Sequence, residues 1–415
     1  MNKLKTITWN IKESFRRANF RRDMQTVLFG AWFGEKFSDN PRFLFQYLSE
    51  NRSALGLNRV VWVTRDEAVC ETIREMGYEA YMMDSEESLR CHRTAGVHII
   101  CNGAADDPAN PHADILGRYS TGAVKINLWH GLCGIKGFGF LSNEYLRMRK
   151  SRPTAARCKE LLHTNGLLRR YAVSPGGWGD CYYLSTTDYV TELFGKIFLS
   201  PRKNFIQSGY PRNCTDVRRT AQEDAVIKNL APYRFRVLYL PTFRDNAAYY
   251  TAPLECEPVR ELLARHGDFL WIEKSHSADT ELRRAEGQTD NILRLNDKFE
   301  INLLLPHVDV VVTDYSSVAF EAMYHRKSVL YYTPDLEYYV NDDRGFITPP
   351  ETFMAGMSVS DGISLADALL QEHERPGYVR NARYDEIRER FWGTEKTMPD
   401  IWEDIVKTCN LKRDR

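Results

Sequence analysis

The cysteines of this sequence form neither a disulfide framework nor a zinc-binding pattern. There are nine of them in 415 residues, the number is odd, and no two stand in a C-x-x-C spacing. Scattered cysteines of this kind are typical of proteins kept in a reducing compartment, so we expect a cytoplasmic location.

The sequence also lacks the long apolar runs of a membrane protein. Its longest runs, such as residues 308–312, which Asp309 interrupts, fall far short of the ~20 residues that a membrane-spanning helix requires. The lysines near the amino terminus are not followed by a continuous apolar block, so no signal peptide is predicted.

An excess of charge of either sign is absent. Lys and Arg number 56, Asp and Glu number 56, and the formal net charge is zero. Dedicated nucleic-acid binders usually carry a large cationic excess, so we expect no nucleic-acid partner. The apolar fraction of 43% and the length fit two globular domains of roughly 200 residues each, and an enzyme is the expected class.

Three motifs that bind phosphates or metals are missing from the chain. It contains no D-x-D sequence, no Walker loop and no G-x-G-x-x-G sequence. These absences predict that the protein uses no metal and no other cofactor. Cationic side chains and helix amino termini would then have to hold any phosphate-rich substrate.

The first 22 residues carry a positive charge that the neutral total conceals. They contain seven basic residues and a single acid, Glu13. Apolar residues recur among them at helical spacing, namely Leu4, Ile7, Ile11 and Phe15. The pattern is typical of a helix lying on an anionic membrane surface. It is equally typical of a basic amphipathic helix packed on its own domain, and the sequence leaves both interpretations open.

Short β-rich runs alternate with helical patterns over most of the chain. This alternation predicts an α/β protein with two Rossmann-like, doubly wound domains facing a central cleft that the carboxyl ends of the strands would line. Strands are predicted at 27–33 and 59–64 in the first series and at 235–240, 269–274 and 328–332 in the second. An irregular loop is predicted at 104–114 and a short helix at 301–305. The predicted organisation is a basic segment, a first domain, a second domain and carboxyl-terminal helices that pack on either domain, with bounds 1–25, 26–212, 213–385 and 386–415.

Polar side chains follow several of the predicted strands. His130 and Gly131 come directly after one strand, and an imidazole that titrates near neutral pH is a candidate general base. A structural histidine is the alternative. Thr242 with Arg244, and Lys274 with His276, follow two strands of the second series, where they would supply hydrogen-bond donors for a phosphate.

The segment after the strand at 308–313 is the sharpest of these signals. Ser316 and Ser317 follow Asp314 at the start of a helix, where serines cap free N–H groups. The same N–H groups and the helix dipole can bind a phosphate. Glu321, one turn further on, is placed to accept hydrogen bonds from ribose hydroxyls.

In this order, the motifs resemble the CDP-glycerol glycerophosphotransferase family, which includes teichoic-acid primases and polymerases and their capsule-synthesis relatives. The resemblance covers about residues 27–404. The segments that carry it are Phe33-Gly34, Asn40-Pro41-Arg42, Trp129-His130-Gly131, 189–198, 209–213, 241–245, 274–276, 313–335 and 344–346.

The resemblance implies the GT-B architecture, with an acceptor domain at 26–212 and a nucleotide-donor domain at 213–385. It also implies an enzyme that transfers a polyol phosphate, with glycerol phosphate expected, from a CDP-activated donor. The acceptor would be a hydroxyl of a lipid-linked or polymeric glycan, CMP would be released, and the enzyme would work at the inner face of the cell membrane. His130 is implied as the general base and His276 as a second essential histidine near the donor diphosphate. The implied donor-binding residues are Thr242, Arg244, Lys274, Asp314, Ser316, Ser317 and Glu321, and further cleft candidates are Gly131, Lys136 and Arg212.

Two departures from the family pattern leave the polyol open between glycerol, ribitol and others. The sequence after Trp-His-Gly is Leu-Cys-Gly-Ile-Lys instead of Thr-Pro-Leu-Lys, and Ser277 stands where relatives commonly have proline. A GT-B glycosyltransferase with a nucleotide-sugar donor is the alternative enzyme, and a catalytically silent scaffold is the alternative outside enzymes. Whether the enzyme is a primase or a polymerase also stays open.

Overall fold

A computed structural model describes residues 3–16, 21–105, 112–132, 135, 137–242, 250–274, 291–341 and 346–411. The chain divides into two compact units. Unit 1 comprises residues 1–130, 139–218 and 394–415, and unit 2 comprises 131–138 and 219–393. The main division therefore falls six residues after the predicted boundary at 212, and the last one falls at 393 instead of 385.

Unit 1 is built on a seven-stranded parallel sheet in the order β3-β2-β1-β4-β7-β8-β9, with β5 and β6 paired separately. Because helices cover both faces of such a sheet, its central strands are largely apolar; β2, with the sequence RVVWVT, is buried at five of its six positions. The strands are β1 (Asp23–Phe29), β2 (Arg59–Thr64), β3 (Glu79–Met82), β4 (Ala95–Ile100), β5 (Ala104–Ala105), β6 (Ile115–Leu116), β7 (Val124–Asn127), β8 (Tyr182–Ser185) and β9 (Phe205–Gln207).

Two predictions for unit 1 are wrong in detail. The strand predicted at 27–33 ends at Phe29 and is followed by a 3-10 turn at Trp32–Gly34. Residues 104–114, predicted as an irregular loop, contribute the short strand β5. The helices of the unit are α1 (Lys3–Arg16), α2 (Asp39–Glu50), α3 (Glu67–Glu75), α4 (Glu86–Thr94), α5 (Asn143–Ser151), α6 (Pro153–Thr164), α7 (Gly166–Leu168), α8 (Asp188–Phe198) and α15 (Met398–Thr408).

Unit 2 contains a six-stranded parallel sheet in the order β12-β11-β10-β13-β14-β15. Its strands are β10 (Phe235–Leu240), β11 (Phe269–Lys274), β12 (Ile292–Leu295), β13 (Val310–Thr313), β14 (Ser328–Tyr332) and β15 (Ser358–Val359). Its helices are α9 (Ala221–Asn229), α10 (Glu257–Arg265), α11 (Val318–Tyr324), α12 (Leu336–Asn341), α13 (Gly362–Glu374) and α14 (Tyr384–Trp392). The helix predicted at 301–305 is instead a pair of 3-10 turns.

Both sheets have the strand order of a Rossmann fold. In each unit the first strand lies between the second and the fourth, so the order reverses between β1 and β4 in unit 1 and between β10 and β13 in unit 2. Ligands of such sheets bind at the carboxyl ends of the strands beside this reversal. The predicted α/β class with two Rossmann-like, doubly wound domains is confirmed.

The two carboxyl-terminal helices belong to different units. α14 lies in unit 2, where the indole N–H of Trp392 donates to the Phe320 carbonyl at 2.6 Å. α15 lies in unit 1 and packs against β9 and α2. Ser208 Oγ donates to Asp404 Oδ2 of this helix at 2.7 Å.

The amino-terminal helix α1 packs on unit 1 through its polar side. Asn10, 2% exposed, donates from Nδ2 to the carbonyls of Tyr171 and Ser174 and accepts from the Gly176 N–H. Leu4, Ile11 and Phe15 stay 71%, 42% and 77% exposed. The helix is thus packed on its own domain and still presents apolar side chains to solvent.

We predict that Asn10→Ala lowers the thermal stability of unit 1. The substitution removes the partner of one buried and two part-buried backbone groups, and the loss at a buried group costs about 1–3 kcal/mol. Thr8→Ala is the matched control, because the Thr8 hydroxyl is exposed and bonds only to the Leu4 carbonyl within the same helix. Calorimetry that gives equal midpoints for the two variants would show that Asn10 does not anchor α1.

Candidate active site

His130 lies beside the strand reversal of unit 1. It follows β7, which pairs with β4, and β4 pairs with β1 at the reversal. Its Nδ1 is 3.0 Å from the Cys101 carbonyl oxygen, just past the end of β4. Because a carbonyl can only accept, Nδ1 carries the hydrogen in the neutral ring, and Nε2 keeps its lone pair. The imidazole is therefore held in the tautomer that a general base at Nε2 requires.

Aromatic rings surround this imidazole on two sides. The ring centroid of Trp32, from the segment after β1, lies 5.4 Å from that of His130, and the centroid of Trp129 lies 4.3 Å away. Burial lowers the pKa of His130, the nearby Asp39 carboxylate raises it, and the Arg212 guanidinium lowers it. The net direction is downward, so the ring stays neutral, and able to accept a proton, at lower pH than an ordinary histidine.

The peptide segment that carries His130 is held by residues distant in sequence. Asn40 Nδ2 lies 3.3 Å from the Leu128 carbonyl oxygen and 3.0 Å from that of Trp129. Arg212 Nη1 donates to the His130 carbonyl at 2.9 Å and to Asp39 Oδ1 at 2.9 Å. Three consecutive carbonyl groups therefore accept hydrogen bonds from two side chains.

Left-handed backbone conformations cluster in the same region. Trp32, Phe33, Asp39 and Trp129 have φ angles of 43°, 61°, 65° and 56°, although residues other than glycine rarely adopt such values. They are four of the seven such residues in the described part of the chain. Strained backbone persists only where surrounding contacts impose it, and it concentrates at functional sites.

Asp114 ties together the loops on either side of the reversal. Its carboxylate accepts from the Phe33 N–H at 2.7 Å after β1, and from the N–H groups of Cys101 and Asn102 at 3.0 and 2.7 Å after β4. Burial raises the pKa of Asp114 to about 6, against the opposing effect of these three donors. Gly30 allows the close approach, because a Cβ there would lie 2.2 Å from the Asp114 carbonyl oxygen.

In unit 2 the reversal lies between Thr242, after β10, and Asp314, after β13. Asp314 is 1% exposed, and its carboxylate accepts from the Thr242 N–H at 2.8 and 3.1 Å and from the Tyr315 N–H at 2.5 Å. The structure thus brings Thr242 and Asp314 together, with the Asp314 oxygens directed at backbone donors.

The remaining described candidates of unit 2 lie around the same edge of the sheet. Ser317 precedes α11 without a side-chain cap, and Ser316 Oγ accepts from the Val318 N–H at a long 3.5 Å. Both serines are partly exposed, whereas Glu321 is buried. Lys274 Nζ donates to the Phe299 carbonyl at 2.7 Å. The two serine side chains therefore provide little of the predicted capping.

Three predicted residues, Lys136, Arg244 and His276, lie outside the described residues. Gly131 is buried and begins unit 2 directly after His130. No group of three or more His, Cys, Asp or Glu side chains among the described residues has the arrangement of a metal site.

Several residues of the site were not predicted from the sequence. Asp39 and Asp114 were missed, Asn40 was noted only as part of a motif, and Trp32 was placed in a strand. The only sequence feature that pointed to them was the run of polar residues Ser38-Asp39-Asn40 before an apolar helix. Helix capping alone accounts for such a run, so it does not indicate a site. Their partners Phe33, Leu128 and Arg212 lie 81, 88 and 173 residues away in the sequence, and no local pattern reveals such pairs.

The sequence profile of the CDP-glycerol:poly(glycerophosphate) glycerophosphotransferase family matches residues 13–396. The chain belongs to this family. The match includes every described site residue, with His130 and Arg212 in unit 1 and the Thr242–Asp314 pair in unit 2. Membership of this glycerophosphotransferase family identifies the protein as an enzyme.

Curated relatives agree with the family assignment, and a solved structure shares the fold. The chain is 23% identical to a teichoic acid poly(glycerol phosphate) polymerase of Bacillus spizizenii over 385 residues, which cover 90% of each chain. It is 23% identical to a teichoic acid glycerol-phosphate transferase of Staphylococcus aureus, with 91% of this chain and 92% of the relative covered. The structure of the wall teichoic acid polymerase TagF shares the fold, with a TM-score of 0.68, 18% identity and coverage of 99% of this chain and 98% of that one.

We predict that Asp114→Asn destabilises unit 1 by about 1–3 kcal/mol. The amide has one oxygen for three backbone donors and must turn its NH₂ group toward at least one of them, leaving a buried N–H unsatisfied. Denaturant unfolding measures the difference. Asp84→Asn serves as the control because this carboxylate is exposed, and a similar loss in both variants would contradict the tie across the reversal.

Proposed function

We propose that this enzyme transfers glycerol phosphate from CDP-glycerol to a hydroxyl of a teichoic-acid-like polymer or of its lipid-linked precursor, with release of CMP. The observation that carries the proposal is the family match over residues 13–396, which includes a histidine held in the tautomer of a general base. Relatives described as polymerases, primases and transferases of glycerol phosphate support glycerol as the polyol.

In the proposed reaction His130 Nε2 accepts the proton of the acceptor hydroxyl. The freed oxygen attacks the β-phosphorus of the donor, a new O–P bond forms, and the bond between the β-phosphorus and the bridging oxygen breaks. The bridging oxygen leaves with CMP. Such a reaction depends mainly on alignment and on stabilisation of charge on the phosphoryl oxygens.

The donor phosphates are assigned to unit 2 in this proposal. Ser316 and Ser317 would donate to phosphate oxygens, with Lys274 supplying positive charge and Thr242 held nearby by Asp314. His276 and Arg244 are proposed for the diphosphate on the family resemblance alone. Asp314 would position the Thr242 segment and not contact phosphate itself, because its oxygens accept backbone hydrogen bonds. Glu321 remains the proposed contact to the nucleotide.

We predict that the enzyme releases CMP from CDP-glycerol when a lipid-linked glycerol phosphate is the acceptor. A chelator should not reduce this release, because we propose that no metal takes part.

His130→Ala should lower kcat by 10²–10⁴-fold, the usual cost of removing a positioned base. His266→Gln is the control. This residue lies before the amino-terminal end of β11, away from the carboxyl ends of the strands of unit 2. Full turnover by His130→Ala would contradict the assignment of the base.

The same assay should show that activity persists to lower pH than an ordinary histidine base would allow. Because burial lowers the pKa of His130, the base stays unprotonated below the ordinary histidine pKa of about 6.5. The acid limb of the pH profile of kcat/KM should therefore lie below pH 6.5.

Replacing CDP-glycerol by CDP-ribitol and by UDP-, GDP- and CMP-sugars tests the other donors. Release of a nucleotide from a nucleotide sugar only would favour a glycosyltransferase.

We further propose that the enzyme docks on an anionic membrane surface through residues 1–22. Among the described residues no helix is both long and apolar enough to cross a bilayer. α1 presents Leu4, Ile11 and Phe15 to solvent, and Lys5, Lys12 and Arg16 of the same helix are exposed beside them. Exposed apolar side chains flanked by cations are the features of a helix that lies in a lipid interface.

We predict that wild-type protein sediments with phosphatidylglycerol vesicles and that replacing Leu4, Ile11 and Phe15 by serine reduces the bound fraction at least tenfold. The buried Asn10 and Thr6 are untouched, so α1 should stay packed. The control is Ile363→Ser, which removes a 64% exposed apolar side chain of unit 2. Equal sedimentation of the triple variant and wild type would exclude α1 as the docking element.

A further inference from the structure

We infer that Asp39 and Arg212 are positioning residues that hold the base His130 in place, and that Arg212 does not bind substrate phosphate. The inference rests on the proposed function, because it assigns these residues to the base of that reaction. It changes the role of Arg212, which the sequence analysis gave as a further candidate residue of the cleft.

The two side chains form a buried ion pair with further partners. The side chains of Arg212 and Asp39 are 6% and 5% exposed, and Arg212 Nη1 lies 2.9 Å from Asp39 Oδ1. Asp39 also accepts from the indole N–H of Trp32 at 3.1 Å and from the Asn40 N–H at 2.7 Å. A guanidinium this deeply buried and directed at a carboxylate is not presented to a phosphate in solution.

The same guanidinium bonds to the peptide segment of the base. Arg212 Nη1 donates to the His130 carbonyl at 2.9 Å, and the Arg212 N–H donates to Asn40 Oδ1 at 3.2 Å. Asn40 is fully buried and bonds to the two preceding carbonyls of the segment. The segment includes the left-handed Trp129, so these bonds hold a conformation that the chain would otherwise leave.

Stability alone gives little reason to bury such a pair. The cost of removing both charges from water often exceeds their attraction, and a buried ion pair is weak support for stability. Here both members instead contact the base or its neighbours. Asp39 accepts a hydrogen bond from the Trp32 indole, which lies against the imidazole, and Arg212 donates one to the carbonyl of His130 itself. A small displacement of a catalytic group can cost about 10²-fold in rate, and this pair restricts such displacement.

The pair also sets the charge around the imidazole. Among the residues that the structure describes, the charged and titratable groups near His130 are Asp39 on α2, Arg212 on the 3-10 turn before α9, and Cys101 and Asp114 around β4. Asp39 raises the pKa of His130 and Arg212 lowers it. Burial keeps Cys101 a neutral thiol by raising its pKa well above the ordinary value. Removing one member of the pair should therefore move the titration of His130 in a direction that identifies that member.

The test compares Asp39→Asn, Arg212→Met and Arg212→Lys with wild type in CMP release. We expect kcat to fall about 10²-fold in Arg212→Met with little change in KM for CDP-glycerol, and Arg212→Lys to recover part of the loss. The acid limb should move to lower pH in Asp39→Asn and to higher pH in Arg212→Met. A raised KM with unchanged kcat would instead make Arg212 a substrate contact and overturn the inference.

A second measurement does not depend on turnover. In ¹⁵N-histidine-labelled protein, the His130 resonances, assigned by their loss in His130→Gln, should show the Nδ1–H tautomer and titrate with the same opposite shifts. Glu79→Gln is the control, because it breaks a partly exposed ion pair with Arg59 at the amino-terminal edge of the same sheet. His130 titrating alike in all variants would refute the positioning role. Absence of CMP release by wild type would refute only the proposed function.

Discussion

The hydrogen bond from His130 Nδ1 to the Cys101 carbonyl is the contact on which the candidate site of unit 1 depends. It exists because β4 and β7 run parallel and end side by side, so that the residues after them meet at one edge of the sheet. The bond assigns the ring hydrogen to Nδ1 and leaves Nε2 as the acceptor. The indoles of Trp32 and Trp129, and the bonds of Asn40 and Arg212 to the neighbouring carbonyls, act on a ring whose tautomer is already set.

Each unit uses a buried aspartate to hold together the loops beside its strand reversal. At each strand reversal a buried aspartate accepts hydrogen bonds from the loops after the first and the fourth strands of the sheet. Asp114 does so between Phe33 and Cys101 in unit 1, and Asp314 does so between Thr242 and Tyr315 in unit 2. A carboxylate suits this position because it accepts several bonds at once, and loops at a strand end have unpaired N–H groups. Each loop can then present its other side chains without moving.

Prediction from the sequence succeeded where local patterns determine the structure. The strands at 59–64, 235–240, 269–274 and 328–332 have the predicted bounds, because a buried parallel strand is a continuous apolar run ended by polar residues. It missed β8 and β9, which have four and three residues. The helix α1 was predicted as amphipathic, but its polar residue Asn10 faces the domain, since the junction of two short helical turns at 171–176 offers backbone groups that need partners.

Local sequence patterns were sufficient to predict the α/β class, the Rossmann-like pair of domains, the family and His130 as a candidate base. Each of these follows from short runs of neighbouring residues, whose periodicity and order can be read along the chain. The folded structure was needed to show which nitrogen of His130 is free to accept a proton, and that Asp39, Asn40 and Arg212 hold its segment. Those properties arise from hydrogen bonds between residues 29 to 173 positions apart, and folding alone brings such residues within hydrogen-bond distance of each other.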